Sequence, residues 1–464
     1  MTSLSAETLA AAATGPITSA GNTQLGIAVL AGIAIIVLLI TRLKLHAFLA
    51  LTVGSLALGV FAGAPLAKTI ASFTAGLGAT VAGVGVLIAL GAILGRLLAD
   101  SGGADEIVDT ILARAKGRAM PWAMVLIASV IGLPLFFEVG IVLLIPVVLL
   151  VAKRGNHSLM RIGIPALAGL SVMHGLIPPH PGPLVAIDAL HANLGVTLAL
   201  GVVVAIPTVI IAGPLFSRYA ARWVDIPAPE RMVTQRPADV EHRPRFGATV
   251  FTVLLPVALM LVKALVDIVV NDPADPVQRV TDVAGSPLIA LLSAVLVGMF
   301  TLGRAAGFTK GQLSVTVEKS LGPIAGILLI VGAGGGFKQT LIDVGVGQMI
   351  LDLSKGWAIP TLLLAWLIAV AIRLATGSAT VATISAAGLV APLAAGMSTT
   401  ETALLVLAIG SGSLFFSHVN DAGFWMVKEY FGMTVGQTLK TWSVMETIIS
   451  VVGLGCVLLL SLVL

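Results

Sequence analysis

Four short polar segments interrupt apolar parts of this sequence, and their residue types could bind an anion or carry a proton. The first, GLPLFFEVG at 132–140, places Glu138 among apolar neighbours. A carboxylate in such surroundings is costly unless it is paired, protonated or faces a polar cavity. Glu138 is therefore our preferred candidate for carrying a proton. The structural alternative is a neutral acid that is hydrogen-bonded at a break in the chain.

The second segment, SVMHGLIPPHPGP at 171–183, contains His174, His180 and four prolines. No continuous helix passes through such a sequence. Non-helical backbone at membrane depth is tolerated only where it lines a cavity or is buried in protein. Each histidine therefore either contacts substrate or proton, or fixes the unwound backbone. Because a third close ligand is missing, the spacing does not fit a zinc site, and we predict neither a metal nor a cofactor.

The third segment, RLATGSATVATISAAG at 373–388, concentrates small hydroxyl side chains around a glycine. Hydroxyl and backbone N–H groups at a helix start suit an anion, although small residues also favour close helix packing. Arg373 either pairs a carboxylate or extends to a membrane face. The substrate-binding candidates in this segment are Arg373, Thr376, Gly377, Ser378 and Thr380.

The fourth segment, FFSHVNDAGFW at 415–425, is the densest polar cluster between two apolar runs. We predict that Ser417, Asn420 and Asp421 contact the substrate together with Glu138 and His180. The candidates for proton coupling are Glu138, Asp421, His174, His180 and His418. Glu446, near the start of the last apolar run, is predicted to lie at the membrane interface.

The composition identifies the elements that must position these segments. Of the 464 residues, 58% are hydrophobic and 10% are charged, against about a quarter charged in a soluble domain. The mean hydropathy is +1.07, and apolar runs reach the length of about 20 residues that a membrane-crossing helix needs. We predict an all-α polytopic membrane protein with about 10–14 membrane segments. The net charge is +4, but most of the basic residues lie in the loops between the apolar runs. We therefore expect no nucleic-acid partner.

The basic residues predict the orientation and the division of the chain. Nineteen of the 26 Lys and Arg residues fall in alternate loops, and 214–246 is the largest of these. Positive loops stay cytoplasmic, which places both termini outside. We divide the chain into an N-terminal tail (1–24), a first membrane half (25–213), a cytoplasmic Arg/Pro-rich connector (214–246) and a second membrane half (247–464).

Segment 121–151 has basic residues on both sides, so both of its flanks should be cytoplasmic. As one straight helix it would be about 46 Å long, against about 30 Å of hydrocarbon. We predict a re-entrant hairpin with its break near Gly132 and Pro134, and a single tilted, kinked helix is the alternative. At a shift of about 240 residues, Glu138 corresponds to Ser378 and His180 to Asn420.

We therefore predict two inverted repeats, each with a re-entrant hairpin and a broken helix. The hairpins are 121–151 and 357–396, and the broken helices are 162–190 and 401–424. In each half, the span immediately before the hairpin is an ordinary one, at 79–99 and 321–342. The latter contains GAGGG at 332–336, which lacks the following Gly-Lys-Ser/Thr of a phosphate loop and is predicted to serve close helix packing.

Five blocks of the sequence resemble the gluconate permease family of gluconate:proton symporters. They are GLPLFFEVGIVLLIP at 132–146, HGLIPPHPGP at 174–183, ATGSATVA at 375–382, SHVNDAGFWMVKEYFG at 417–432 and TWSVMETIISVVGL at 441–454. The resemblance implies a multi-pass protein of the bacterial inner membrane that imports gluconate or a related small sugar acid with protons. It implies a transporter rather than an enzyme.

Several alternatives stay open. Proteins of similar sequence carry idonate, fructuronate, glycerate or D-serine, and sodium could replace the proton as the coupling ion. A homo-oligomer is also compatible with the sequence. A channel or a membrane-embedded enzyme is the remote alternative, because the chain lacks a nucleophile–base pair or a metal constellation.

Overall fold

The computed structural model describes residues 16–115, 117–155, 157–226, 242–270, 272, 274–346, 348–349, 359–418 and 421–464. Within these residues the secondary structure consists of helices and contains no strand. The N-terminal residues 1–15 and residues 227–241 of the predicted connector lie outside the described part.

The described residues up to Trp223 contain ten α-helices, the last of which lies in the predicted connector. They are α1 (Asn22–Thr41), α2 (Ala47–Phe61), α3 (Leu66–Asp100), α4 (Gly103–Arg114), α5 (Met120–Gly132), α6 (Phe137–Arg154), α7 (Leu159–Leu176), α8 (Pro181–Leu190), α9 (Leu194–Ile210) and α10 (Ser217–Trp223). A π-helical turn, Ile211–Leu215, joins the last two.

The described part of the second half also contains ten. They are α11 (Phe246–Val269), α12 (Pro276–Ala284), α13 (Pro287–Gly298), α14 (Lys310–Asp343), α15 (Thr361–Thr376), α16 (Ala379–Val390), α17 (Thr399–Ser413), α18 (Ala422–Phe431), α19 (Val435–Thr438) and α20 (Val444–Leu460). Two further π-helical turns, Met299–Arg304 and Leu439–Ser443, follow α13 and α19.

The helices account for a polytopic membrane protein. Eight helical stretches in the described part are long and apolar enough to cross a membrane, and the arms of both predicted hairpins appear as shorter apolar helices. The predicted all-α membrane fold is therefore confirmed. Two spans are longer than predicted: α3 begins at Leu66 and α14 at Lys310. The charged residues of these extensions, Lys68 in α3 and Lys310, Glu318 and Lys319 in α14, do not interrupt the helical backbone.

The chain folds back on itself between α5 and α6. A Cβ added at Gly132, at the end of α5, would lie 3.3 Å from Cδ2 of Leu170. One added at Gly140, in the first turns of α6, would lie 2.6 Å from the same atom. Eight residues of continuous helix would separate these positions by about 12 Å. Segment 121–151 is thus a helical hairpin rather than one long helix.

Glycines allow the two longest helices to cross at close range. A Cβ added at Gly335 in α14 would lie 2.1 Å from Thr80 Oγ1 of α3 and 2.7 Å from the Gly76 carbonyl oxygen. At Gly336 it would lie 2.4 Å from a ring carbon of Phe73. The GAGGG sequence therefore serves helix packing, as predicted.

The same order of elements recurs in both halves. The starts of α3 and α14 are 244 residues apart, those of α6 and α16 are 242 apart, and those of α8 and α18 are 241 apart. In each half a hairpin is followed by a broken helix, α7–α8 or α17–α18. The inverted relation of the halves stays a prediction.

Candidate functional site

The first break lies between α5 and α6. Leu133–Phe136 form the tip, and Phe137 begins α6. Glu138 lies in the first turn of α6, and its side chain is outside the described part of the structure. The first helical hydrogen bond runs from Gly140 N to the Phe136 carbonyl oxygen over 2.9 Å, so the N–H groups before it have no helical acceptor.

The second break lies between α7 and α8, where Ile177 is extended ahead of the prolines. Pro181 starts α8, a position that tolerates proline because its missing N–H would have no helical acceptor. His180 is 3% exposed, and its Nε2 donates to the Gly132 carbonyl oxygen over 2.7 Å. The ring of His174 lies 5.4 Å from that of His180 and 6.0 Å from that of Phe137. His180 thus joins the second break to the first hairpin tip.

The third break lies between α15 and α16. Gly377 has φ +74°, a left-handed conformation that suits glycine. The side chain of Ser378 accepts a hydrogen bond from Val381 N over 3.3 Å and caps α16. The hydroxyl of Thr376 donates back to the Ile372 carbonyl oxygen over 2.8 Å. Thr380 is half-buried in the first turn of α16.

The fourth break, between α17 and α18, is organised around Asp421. Its Oδ1 accepts from Gly423 N over 2.8 Å, and its Oδ2 accepts from Arg373 Nη2 over 2.5 Å and from the hydroxyl of Ser417. Trp442 Nε1 donates to Ser417 Oγ over 2.7 Å. Asn420 lies outside the described residues.

His418 contacts the loop that carries it, since its Nδ1 is 3.0 Å from the Phe416 carbonyl oxygen. Its ring also lies 5.8 Å from that of Phe416, in a tilted arrangement. These two contacts fix the ring of His418 within the fourth break.

Arg373 ties the third break to the fourth. Its side chain is 3% exposed, so it does not extend to a membrane face. In addition to Asp421, it donates through Nη1 to the Gly377 carbonyl oxygen over 2.5 Å. Its Nε is buried and has no hydrogen-bond partner among the described residues.

The four breaks are joined by a closed set of contacts. His180 reaches Gly132 at the first tip, and a Cβ added at Gly423 in α18 would lie 3.2 Å from Phe137. Asp421 pairs with Arg373. A Cβ added at Gly182 in α8 would lie 3.5 Å from Thr383 Oγ1 in α16.

The N-termini of α6, α8, α16 and α18 are therefore neighbours. Each carries a partial positive charge and N–H groups without a helical acceptor. They form a region of partial positive charge, buried between the two halves beside the Arg373–Asp421 ion pair, which suits an anion.

Two polar residues of this region were not predicted from the sequence. Glu446 is 1% exposed, so the interfacial prediction was wrong, and Ser171 Oγ donates to its Oε1 over 2.6 Å. Trp442 packs on Phe137 with ring centroids 5.6 Å apart. The sequence contained an indication of this burial: Ser443, Glu446 and Ser450, spaced at i, i+3 and i+7, form a polar face on one helix.

Comparison with known proteins decides the family. The sequence profile described as GntP family permease matches residues 25–463. The chain belongs to the GntP permease family. It is 49% identical over 431 residues to a protein of Pseudomonas aeruginosa named gluconate permease, covering 92% of this chain and 96% of that protein. It is therefore a multi-pass transporter of the bacterial inner membrane rather than an enzyme.

Two further GntP permease relatives come from Escherichia coli. A high-affinity gluconate transporter is 44% identical over 92% of this chain and 97% of its own length. The Gnt-II system L-idonate transporter is 40% identical over 94% of this chain and 99% of its own length.

Solved structures share the fold of this GntP permease at low identity. MtrF of Neisseria gonorrhoeae superposes with a TM-score of 0.62 at 15% identity, covering 84% of this chain and 83% of that one. The YdaH transporter of Alcanivorax borkumensis gives 0.55 at 18% identity, covering 85% and 89%.

Proposed function

We propose that this protein is a secondary active transporter that imports gluconate, or a closely related small sugar acid, together with protons. The observation that carries the proposal is the meeting of four half-helix N-termini beside the buried Arg373. A monocarboxylate needs compensation for the water it loses, and oriented N–H groups at the helix starts supply it. Relatives named gluconate permease or transporter make gluconate the first substrate to test.

In this proposal the carboxylate of the substrate lies at the two hairpin tips, near Glu138 and Ser378. Its hydroxyl groups face His180, Asn420 and Asp421, which offer both donors and acceptors. Thr376, Gly377, Thr380 and Ser417 complete the lining of the site.

Coupling to protons has an electrical reason. Moving an anion into a cell against 100 mV, inside negative, costs about 2.3 kcal/mol. One proton that crosses with it cancels the charge, and the pH gradient then supplies the driving force. Sodium would cancel the charge equally well, so the coupling ion needs its own measurement.

The experiment is uptake of labelled gluconate into proteoliposomes under an imposed pH gradient, with a sodium gradient and no gradient as parallel conditions. We expect accumulation above equilibrium only with the pH gradient. Accumulation driven by sodium alone contradicts proton coupling. Competition by unlabelled L-idonate tests the second substrate that a 40% identical relative suggests.

A further inference from the structure

Glu446 is a buried carboxyl group beside the four breaks. It is 1% exposed, and Ser171 of α7 donates to it over 2.6 Å. It forms no salt bridge with any residue that the structure describes. A carboxylate removed from water without a bonded counter-ion is costly. Any change in the charges near Glu446 therefore changes how readily it binds a proton.

The titratable groups near Glu446 lie on the elements that pack against α20. α20 packs against α7, α9, α15, α17 and the π-turns 211–215 and 439–443. α9 and the first of these π-turns contain no titratable residue, Glu401 of α17 lies at its exposed end, and the second π-turn carries Lys440. Arg161 of α7 donates to the Pro214 carbonyl oxygen and to Ser217. The remaining titratable groups of these elements are His174 of α7 and Arg373 of α15, which is paired with Asp421. Glu446 interacts electrostatically with Arg373 and with Asp421.

Protonation of Glu446 therefore changes the net charge of the site by one unit. Arg373 and Asp421 neutralise each other in their ion pair. An ionised Glu446 adds one negative charge. In the poorly screened protein interior this charge repels the carboxylate of the sugar acid. A protonated Glu446 removes that repulsion.

Asp421 is less suited to this role. It accepts hydrogen bonds from Arg373, Ser417 and Gly423, so its charge holds the fourth break together. Protonating Asp421 would break the ion pair with Arg373 and leave a buried guanidinium without its counter-ion.

We infer that Glu446 takes up the co-transported proton and that its protonation allows the sugar acid to bind. A carboxylate oxygen of Glu446 binds the proton from outside the cell. The proton is released into the cell after the sugar acid has left. One anion and one proton then cross together without net charge. This inference rests on the proposed function and replaces the sequence preference for Glu138.

The first test is gluconate binding to the purified protein between mildly acidic and mildly alkaline pH. Binding that requires a proton weakens with rising pH, by up to about tenfold per pH unit. Glu446→Gln keeps an oxygen for the Ser171 hydroxyl but cannot ionise, so its affinity should not vary with pH. Glu401→Gln, the same change in an exposed capping box, should keep the wild-type profile.

The second test is transport. Glu446→Gln proteoliposomes should lose substrate-driven proton influx and pH-driven accumulation, yet retain exchange of labelled for unlabelled substrate. Proton influx that persists in this variant, or an unaltered pH profile of binding, overturns the inference. Loss of influx in Glu138→Gln together with its persistence in Glu446→Gln would assign the role to Glu138.

Two provisions keep this result separate from the identity of the substrate and from folding. Proton influx is measured with whichever of gluconate or L-idonate the wild type accumulates, so a wrong substrate affects only the proposed function. Wild-type accumulation without proton influx overturns proton coupling and the role of Glu446, and leaves the sugar-acid substrate unaffected, whereas proton influx that persists in Glu446→Gln overturns the role of Glu446 alone. If Glu446→Gln does not fold, Ser171→Ala provides the second variant: it should move the midpoint of the pH profile, and an unmoved midpoint contradicts the inference.

Discussion

Arg373 Nη2 and Asp421 Oδ2 lie 2.5 Å apart and join the second hairpin to the second broken helix across 48 residues of sequence. The two side chains are 3% and 13% exposed, so water screens their charges poorly. The pair also fixes the loop before α18, because Asp421 caps that helix. Its removal should therefore affect both the stability and the shape of the site.

Asp421→Asn should destabilise the protein, because a buried guanidinium would lose its counter-ion. We expect a loss of about 3–5 kcal/mol, measured by thermal unfolding in detergent. Asp275→Asn makes the same change at the partly exposed cap of α12 and should be nearly neutral, since asparagine also caps helices. Equal stability of Asp421→Asn and wild type would show that the ion pair contributes little.

The hydroxyl groups of the second hairpin tip should contribute to affinity. Ser378→Ala combined with Thr380→Ala removes two hydroxyl groups, each worth about 0.5–1.5 kcal/mol. We expect gluconate binding to weaken roughly two- to tenfold per hydroxyl, measured by calorimetry on purified protein.

Because Ser378 also caps α16, a control for cap loss is needed. Ser398→Ala removes an equivalent cap from α17 at an exposed position. It should lower stability by about 0.5–2 kcal/mol and leave affinity unchanged. Unchanged affinity in the double variant would place the substrate elsewhere.

The sequence predicts local features of this site and not its long-range contacts. The breaks near 133, 178, 377 and 418 were predicted because proline, glycine and polar clusters interrupt helices locally. The pairing of Arg373 with Asp421 and the burial of Glu446 depend on how distant helices meet, which local sequence does not encode. Glu446 was misplaced because its position near the start of the last apolar run suggests a depth in the membrane. The sequence position does not show which face of the helix packs against the rest of the protein.

The crossing of α3 and α14 should tolerate no side chain at Gly335. Gly335→Ala forces a Cβ towards Thr80 and the Gly76 carbonyl oxygen, and overpacking of this kind costs about 1–3 kcal/mol. Gly322→Ala lies in the same helix and meets nothing within 4 Å, so it should be neutral or slightly stabilising. Thermal unfolding of both variants measures the difference, and equal stability would contradict the tight crossing.

The orientation prediction places the loop after α11 outside and the loop before α14 in the cytoplasm. The structure adds one relevant contact: Arg243 Nη1 lies 2.8 Å from Asp109 Oδ2, joining the connector to α4. Both segments were predicted to be cytoplasmic from their positive charges, and this ion pair requires them to share a side. Cys456 is the only cysteine, so a Cys456→Ser background allows single cysteines to report on each loop.

In that background, Asp272→Cys should react with a membrane-impermeant maleimide in intact cells, whereas Lys310→Cys should react only after the cells are permeabilised. Both positions are exposed, so a difference in labelling reports the side of the membrane rather than burial. Labelling of Lys310→Cys but not Asp272→Cys in intact cells would reverse the orientation of the whole chain. It would also reverse the direction in which the proposed proton and sugar acid enter the site.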